Sequence, residues 1–301
     1  MYKKPVLFII FNRPETTKKV FAEIRKYKPA KLFVAADGPR ENKAGEKERC
    51  EQARKITENI DWPCKVKRLY RKKNLGCKYA VSGAIDWFFE NVEEGIILED
   101  DCLPDSPFFT FCEKMLGMYR NDSKVMCISG DNFLPKSMQK KSGYYFSKYV
   151  HIWGWATWRR AWKNYDVEMR DWLKIRNLRL LSKYFDNFIE KVYWFTIFNA
   201  VYDKKIDTWD YQFVYHTWKN EGLSIIPNTN LISNIGFDND ALHTKAINSP
   251  LSEMSTDKLK LDSKKVSINI NKKADNYSRK NVFGINLVNI AKQLIYYSVM
   301  K

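Results

Sequence analysis

The stretch Gly95-Ile96-Ile97-Leu98-Glu99-Asp100-Asp101 decides the fold class of this chain. Three large aliphatic residues run directly into three acidic ones, which is the pattern of a buried strand that ends at a polar edge. In open parallel α/β sheets, ligands bind just beyond the carboxyl ends of the strands. We therefore predict a buried strand over 95–98 and an acidic triplet that lies in a ligand-binding cleft.

Toward the N-terminus, short apolar runs alternate with patterns of helical period. The predicted strands are Val6–Phe11, Lys31–Ala36 and Lys65–Tyr70, and the predicted helices cover 14–27, 44–59 and 77–91. Such alternation is typical of βαβ units built around a parallel sheet. The predicted fold class is α/β, a Rossmann-like mixed sheet flanked by helices.

Toward the C-terminus, the pattern loosens and then changes character. We predict strands at 125–129 and 144–149 and helices at 180–203 and 209–221, followed by a polar, basic stretch and an apolar helix over 285–300. These features divide the chain into a catalytic domain, 1–248, and a basic C-terminal extension with an amphipathic helix, 249–301.

The last helix has an apolar face made of Leu287, Ile290, Ala291, Leu294 and Tyr297. With the basic stretch before it, this face predicts attachment to an anionic membrane surface. The alternatives are a helix that packs back on the domain or one that pairs with a second subunit, so a homo-oligomer is left open.

Composition excludes a disordered chain, because 45% of the 301 residues are hydrophobic and 15% are aromatic. A net charge of +17 attracts nucleic acids, anionic lipids or phosphorylated substrates without separating them. The six cysteines contain no Cys-x-x-Cys pair, which favours free thiols in a reducing cytoplasm. No apolar run reaches the ~18 residues of a spanning helix. We expect a cytoplasmic protein that is either soluble or peripheral on the inner face of the membrane.

Polar or charged residues follow four consecutive predicted strands. Arg13 follows the first strand, Asp37 the second, Arg71 and Asn74 the third, and the acidic triplet the fourth. Because carboxyl ends of parallel strands meet at one edge of the sheet, these side chains should converge on one cleft. This convergence is the main sequence-level indication that the chain is an enzyme.

The acidic triplet predicts a divalent cation. Neighbouring carboxylates repel one another unless a cation lies between them. Mg²⁺ and Mn²⁺ prefer oxygen ligands and hold substrate phosphates with one or two protein carboxylates. The alternative is an acidic turn that caps the next helix through Asp105 or Ser106.

Other segments remain ambiguous or exclude an activity. Lys65–Lys78 contains seven basic residues and no acid, as would suit a diphosphate, a nucleic-acid backbone or a solvated loop. No Gly-rich phosphate loop occurs, and only three histidines are present, so a P-loop enzyme and a Ser-His-Asp hydrolase are disfavoured.

Two clusters remain. The segment from His151 to Trp158 holds three tryptophans and one glycine, a density that suggests more than core packing. Asp210 opens a predicted helix, where a carboxylate interacts well with the helix dipole. Alternatively, Asp210 is a general base that takes a proton from an acceptor hydroxyl.

Taken in order, these motifs resemble a known family. Phe11-Asn12-Arg13-Pro14, Asp37-Gly38, Asn74-Leu75-Gly76, the acidic triplet, the Trp-Gly-Trp block and Trp209-Asp210 resemble bacterial GT-A-fold glycosyltransferases, in particular the bacterial relatives of N-acetylglucosaminyltransferase I. The resemblance covers roughly residues 4–245.

The resemblance implies an inverting, metal-dependent transfer of a sugar from a UDP-sugar, perhaps UDP-N-acetylglucosamine, to a glycan or lipid-linked glycan acceptor of a bacterial surface polysaccharide. It implies that Asp101 binds Mn²⁺ or Mg²⁺ and that Asp210 is the catalytic base. Asp37 corresponds to a residue that reads uracil, and Gly154 and Trp155 to the floor of the sugar pocket. The implied donor-binding residues are Arg13, Asp37, Arg71, Asn74, Glu99, Asp100, Gly154, Trp155 and His243, the last in a loop over 232–244 that closes on the diphosphate.

Two other functions compete with glycosyl transfer. A basic polyanion- or membrane-binding protein without catalysis would use the charge and would need neither Asp101 nor a metal, although we expect no nucleic-acid partner. A sugar nucleotidyltransferase would usually carry a Gly-rich loop after the first strand, where this chain has Phe11-Asn12-Arg13-Pro14.

Overall fold

A mixed sheet of eight strands forms the centre of the computed structural model, which describes residues 3–176, 181–237, 254–261 and 265–299. In chain order the strands are β1 Val6–Ile10, β2 Lys31–Ala36, β3 Lys65–Tyr70, β4 Glu94–Glu99, β5 Cys102–Pro104, β6 Val125–Ser129, β7 Tyr144–Ser147, β8 Trp155–Trp158, β9 Leu223–Pro227 and β10 Ile232–Asn234. The large sheet has the order β3-β2-β1-β4-β8-β6-β9-β7, and β5 pairs with β10 in a small second sheet.

Helices connect and cover these strands. They are α1 Pro14–Tyr27, α2 Glu46–Ile56, α3 Gly76–Asn91, α4 Ser106–Met118, α5 Arg159–Trp162, α6 Trp172–Ile175, α7 Phe188–Tyr202, α8 Asp210–Lys219, α9 Lys272–Tyr277 and α10 Leu287–Val299, with a π-helical turn over Ser278–Val282. Among the described residues, none of these helices combines the length and apolarity that crossing a bilayer requires.

The first four long strands are parallel. β1 pairs with β2 on one side and with β4 on the other, and β3 extends the sheet beyond β2. β8 then runs antiparallel between β4 and β6. The prediction of an α/β mixed sheet flanked by helices is therefore confirmed, and the carboxyl ends of β1 to β4 meet at one edge.

Both faces of the sheet are buried. Alternate residues of β1 enter two different cores: Val6, Phe8 and Ile10 pack with α1 and α4, whereas Leu7 and Ile9 pack with α3, α7 and α8. A strand covered on both faces must be apolar at every position, which is why these strands read as continuous hydrophobic runs.

The tryptophan block is mostly core, in contrast to the prediction. Trp155 and Trp158 belong to β8 and are each 1% exposed. The reason is tertiary: β8 lies inside the sheet between β4 and β6, so both of its faces are covered. The short strands β5, β8, β9 and β10 were not predicted, because their burial depends on partners distant in the chain.

The described part of the C-terminal segment packs on the domain. The Asn271 amide donates to the Phe146 carbonyl at 2.8 Å, and the Gly143 amide donates to the Lys260 carbonyl at 3.0 Å, so the segment follows the edge strand β7. The proposed boundary at residue 248 lies outside the described residues.

The orientation of α10 corrects the predicted apolar face. Ile290 is only 5% exposed and faces the core, and Tyr297 also packs against the core, whereas Leu287 is 69% exposed. These residues therefore do not form one outward surface, because the helix is apolar on two sides. The predicted extent, 285–300, is otherwise close to the observed helix.

Candidate functional site

A cavity of about 730 Å³ opens at the carboxyl ends of β1, β2 and β4. This is the switch point of the sheet, where β2 and β4 leave β1 on opposite sides, and its volume lies in the range of sites for small ligands. Predicted residues that line it are Arg13, Asp37, Asn74, Glu99, Asp100, Asp101 and Asp210. Apart from Arg71, the strand-end residues expected to converge do line one cleft, and the chemical roles of these residues stay predictions.

An acidic wall stands at the end of β4. The Arg13 Nη1 atom lies 2.7 Å from Asp101 Oδ2 and 3.8 Å from Asp100 Oδ1. The Phe11 amide donates to Asp100 Oδ2 at 2.9 Å, which joins the tips of β1 and β4. A guanidinium therefore neutralises part of the carboxylate pair from the start of α1.

Glu99 is the third acidic residue of this wall, and its surroundings disfavour its charged form. Burial, together with repulsion by Asp101, Asp100 and Asp210, raises the pKa of Glu99 to about 8. The Cys77 thiol, which also lines the cavity, has a raised pKa from burial and the same carboxylates. Burial and the neighbouring carboxylates therefore favour the protonated form of both groups.

The start of α8 forms the other acidic part of the cavity. Asp210 Oδ1 accepts a hydrogen bond from the Tyr211 amide at 2.8 Å and another from the Thr208 hydroxyl. Asp207, which the sequence did not single out, lines the same cavity and lies 3.8 Å from where a Cβ on Gly76 would be. A carboxylate in the turn before a helix carries no motif of its own, so only the fold could find it.

Asp37 has a different environment from the acidic wall. Its carboxylate accepts hydrogen bonds from the amides of Leu75 and Gly76 at 2.9 and 3.1 Å and from the Asn74 side chain at 3.0 Å. The Gly38 amide donates to it at 2.9 Å, and burial raises its pKa despite these donors. The carboxylate thus ties β2 to the loop that begins α3.

Gly38 makes this junction possible. A Cβ at this position would lie 2.6 Å from the backbone carbonyl oxygen of Lys73, closer than any real contact. Two backbones therefore meet here, as the Asp-Gly pair after a strand can indicate.

Arg71 lies outside the cavity lining. Its guanidinium donates to the Ala80 carbonyl of α3 at 3.1 Å, and burial lowers its pKa while Asp37 partly restores it. Lys72 and Lys73 line a neighbouring, shallower depression together with Arg40. The basic segment 65–78 therefore contributes Asn74, Gly76 and Cys77 to the cavity lining, but none of its lysine or arginine side chains.

Gly154 and Trp155 also lie outside the cavity lining. Trp155 packs against Trp209 with ring centroids 5.8 Å apart, beneath the start of α8. Trp153 and Ile152, from the same block, line the cavity instead. His243 lies outside the described residues.

Two further parts of the cavity lining, Arg40 and Gly236, were not predicted as site residues. The Arg40 guanidinium lies over the Phe11 ring, 5.7 Å from its centroid, and both residues line the cavity. Gly236 approaches the acidic wall so closely that a Cβ there would lie 2.7 Å from Asp101 Cβ and 2.9 Å from Arg13 Nη1. Gly236 falls in the loop over 232–244 that the family resemblance assigns to closing on the diphosphate, whereas no motif pointed to Arg40.

The acidic side chains of the cavity decide whether it could hold a metal ion. No group of three or more His, Cys, Asp or Glu side chains in the described ranges is arranged to hold an ion. A site with one or two carboxylates is, however, what Mg²⁺ and Mn²⁺ use when substrate phosphates complete the shell. Asp100 and Asp101 supply such oxygens, so the residues present fit that kind of cation. Asp105 lies apart as the N-cap of α4, where its carboxylate accepts from the Ser106 amide at 2.7 Å.

Comparisons with known proteins add little. No protein-family model matches the sequence, and no curated protein matches it. Among solved structures, HddC from Yersinia pseudotuberculosis is 8% identical, with a TM-score of 0.32, over 52% of this chain and 77% of that one. The same protein complexed with GMP-PN is 9% identical, with a TM-score of 0.33, over 54% and 80%. The 4-diphosphocytidyl-2C-methyl-D-erythritol synthase of Anaerococcus prevotii is 9% identical, with a TM-score of 0.33, over 62% and 85%. TM-scores this low carry no argument about function.

Proposed function

We propose that the chain is a glycosyltransferase that moves a sugar from a nucleotide diphosphate donor to an acceptor hydroxyl. The observation that carries the proposal is the pairing, in one cavity, of the acidic wall at β4 with the separate carboxylate of Asp210 at α8. A transfer to a hydroxyl needs both a site for the leaving diphosphate and a base.

Charge supports a bridging cation. Even with Glu99 protonated, five carboxylates outnumber the two guanidinium groups that line the cavity, so a diphosphate would be repelled from it unless a cation came between. Asp101, with Asp100 beside it, would hold Mn²⁺ or Mg²⁺. When bound, such an ion would neutralise the charge that develops on the departing diphosphate.

Asp210 is the proposed base. Its carboxylate takes the proton of the acceptor hydroxyl as that oxygen forms a bond to the anomeric carbon of the donor sugar. The bond from the anomeric carbon to the diphosphate oxygen breaks at the same time, and the nucleoside diphosphate leaves with that electron pair. Direct displacement of this kind inverts the anomeric centre and needs no covalent intermediate on the protein.

We propose that the nucleoside of the donor binds where Phe11 and Arg40 line the cavity. Phe11 and Arg40 present a ring and a guanidinium on which a nucleobase can stack, while Arg13, which pairs with Asp101, also lines the cavity. We propose a UDP-sugar, with UDP-N-acetylglucosamine first in line by family resemblance. The proposed acceptor is a glycan or lipid-linked glycan of a bacterial surface polysaccharide.

Calorimetric titration with UDP, with and without Mn²⁺, tests the donor site. We expect binding that requires Mn²⁺ and that is lost in Asp101→Asn. The matched control is Asp105→Asn, because Asn caps a helix as well as Asp does and this residue lies outside the cavity. Binding of equal strength without Mn²⁺, or unchanged binding in Asp101→Asn, would contradict the proposal.

A sugar nucleotidyltransferase is the alternative that this acidic wall would also serve. That reaction joins a nucleoside triphosphate to a sugar phosphate, whose oxygen is already ionised and needs no base. Release of pyrophosphate from UTP and a sugar 1-phosphate, unaffected by Asp210→Asn, would favour it. Turnover of a UDP-sugar that depends on Asp210 would favour glycosyl transfer.

A further inference from the structure

We infer that the outward face of α10 is a docking surface for an anionic lipid bilayer. The inner face of this helix is already used, since Ile290 is buried in the core and Tyr297 packs against it. The Lys205 ammonium also donates to the Tyr297 carbonyl, which ties the helix to the end of α7. The helix is therefore a fixed part of the domain, and its other face is available.

That other face is strongly apolar. Val288 and Ile295, at its centre, are 63% and 66% exposed, and Leu287 and Tyr296, on its two flanks, are 69% and 58% exposed. On a helix, Val288 and Ile295 lie within about 20° of one another, and both point away from Ile290. Large side chains grouped in this way on a surface mark an interaction site rather than ordinary exposure.

Charge identifies the occupant. Between Lys265 and Val299 the chain has six basic residues and a single acid, Asp275, which is buried and bonded to Ser147. Lys292 lies within the apolar face, four residues after Val288 and three before Ile295, and is exposed. Apolar side chains with lysines among them suit the boundary between acyl chains and anionic headgroups.

A second copy of the chain fits less well. Each copy carries a net charge of +17, and a symmetric contact through this face would bring two Lys292 side chains together. A zwitterionic bilayer would satisfy the apolar residues but not the cations. An anionic bilayer would contact both the apolar side chains and the basic residues favourably. This inference does not depend on the proposed function.

Cosedimentation of the full chain with vesicles tests the inference. We expect binding to vesicles that contain phosphatidylglycerol, little binding to phosphatidylcholine alone, and weakening by salt. The double substitution Val288→Ser with Ile295→Ser should lower the partition coefficient by roughly tenfold or more. Lys292→Glu should lower it by about fivefold or more.

Leu173→Ser is the matched control, because Leu173 is another half-exposed apolar residue on a short helix outside this surface. It should bind as the parent does, and the thermal midpoints of all variants should agree. Failure of the parent chain to bind phosphatidylglycerol vesicles would overturn the inference. So would a double variant that binds normally, or one that changes a dimer into a monomer in sedimentation, which would assign the face to a second copy.

Discussion

The ends of β2 and β4, on the two sides of β1, both carry carboxylates that line the cavity, yet the two are held in different ways. Asp37, at the end of β2, accepts hydrogen bonds from three backbone amides and one side-chain amide, all fixed parts of the fold. Asp101, just past β4, is paired with the side chain of Arg13, which itself lines the cavity.

The difference separates a structural carboxylate from one suited to ligands. Backbone amides cannot leave Asp37 without moving the loop at α3, so replacing them with a ligand would cost stability. A guanidinium can turn away from Asp101 when a stronger cation arrives. We therefore expect substitutions at the β2 end to affect folding and substitutions around the β4 end to affect binding and rate.

The largest expected effect is on catalysis at Asp210. Asp210→Asn keeps the shape of the side chain but removes the base, and the rate of sugar transfer should fall by ~10²–10⁴-fold. The measurement is kcat for transfer from the UDP-sugar, with UDP binding by calorimetry as the check on folding. Asp207→Asn is the matched variant in the same cavity, and a larger loss there would assign the base to Asp207 instead.

The next effect comes from Gly236. Gly236→Ala places a Cβ against Asp101 and Arg13, so the β4 wall must shift. A displacement of that order should weaken UDP binding in the presence of Mn²⁺ by about a hundredfold. Gly117→Ala is the control, since a Cβ on this exposed residue of α4 meets nothing within 4 Å. Equal UDP affinity in both variants would show that the wall tolerates displacement.

A smaller effect, on stability, is expected at Asp37. Asp37→Asn replaces one acceptor oxygen by an NH₂ group, which would face N–H donors instead of accepting hydrogen bonds from them. The free energy of unfolding should therefore fall by about 3 kcal/mol. Urea denaturation measures the loss. If stability were unchanged while UDP binding disappeared, Asp37 would belong with Asp101 as a ligand-binding residue, as the family resemblance implied.

The smallest effect is a pH dependence at Asp275, a third buried carboxylate held by internal donors. Burial raises its pKa to about 6, so the folded state holds the proton more tightly than the unfolded state does. Stability should therefore fall as pH rises from about 4 to about 6, by about 2 kcal/mol, and level off above that. Asp275→Asn should remove this slope in thermal unfolding measured across the range, and a slope that persists would place its origin in another group.

The strands and helices of the N-terminal half could be predicted because each of them has a local sequence pattern. An apolar run such as Val6–Ile10 is buried on both faces, and the helix that follows begins at a proline. The acidic wall was predictable for the same reason, since its residues directly follow a strand. Asp207 and the close approach of Gly236 to Asp101 were not predictable, because they depend on connections that return from distant parts of the chain.

The amino-acid sequence by itself determined the α/β class, the polar ends of the parallel strands and the excess of basic charge, because these depend on periodicity and composition. Only the tertiary structure decided which residues work together. It buried Trp155 beneath α8, enclosed Asp37 in backbone donors and turned Ile290 inward while Val288 faces out. Pattern specifies which residues are apolar or charged, but packing between distant segments decides which of them are covered and which remain open to a ligand.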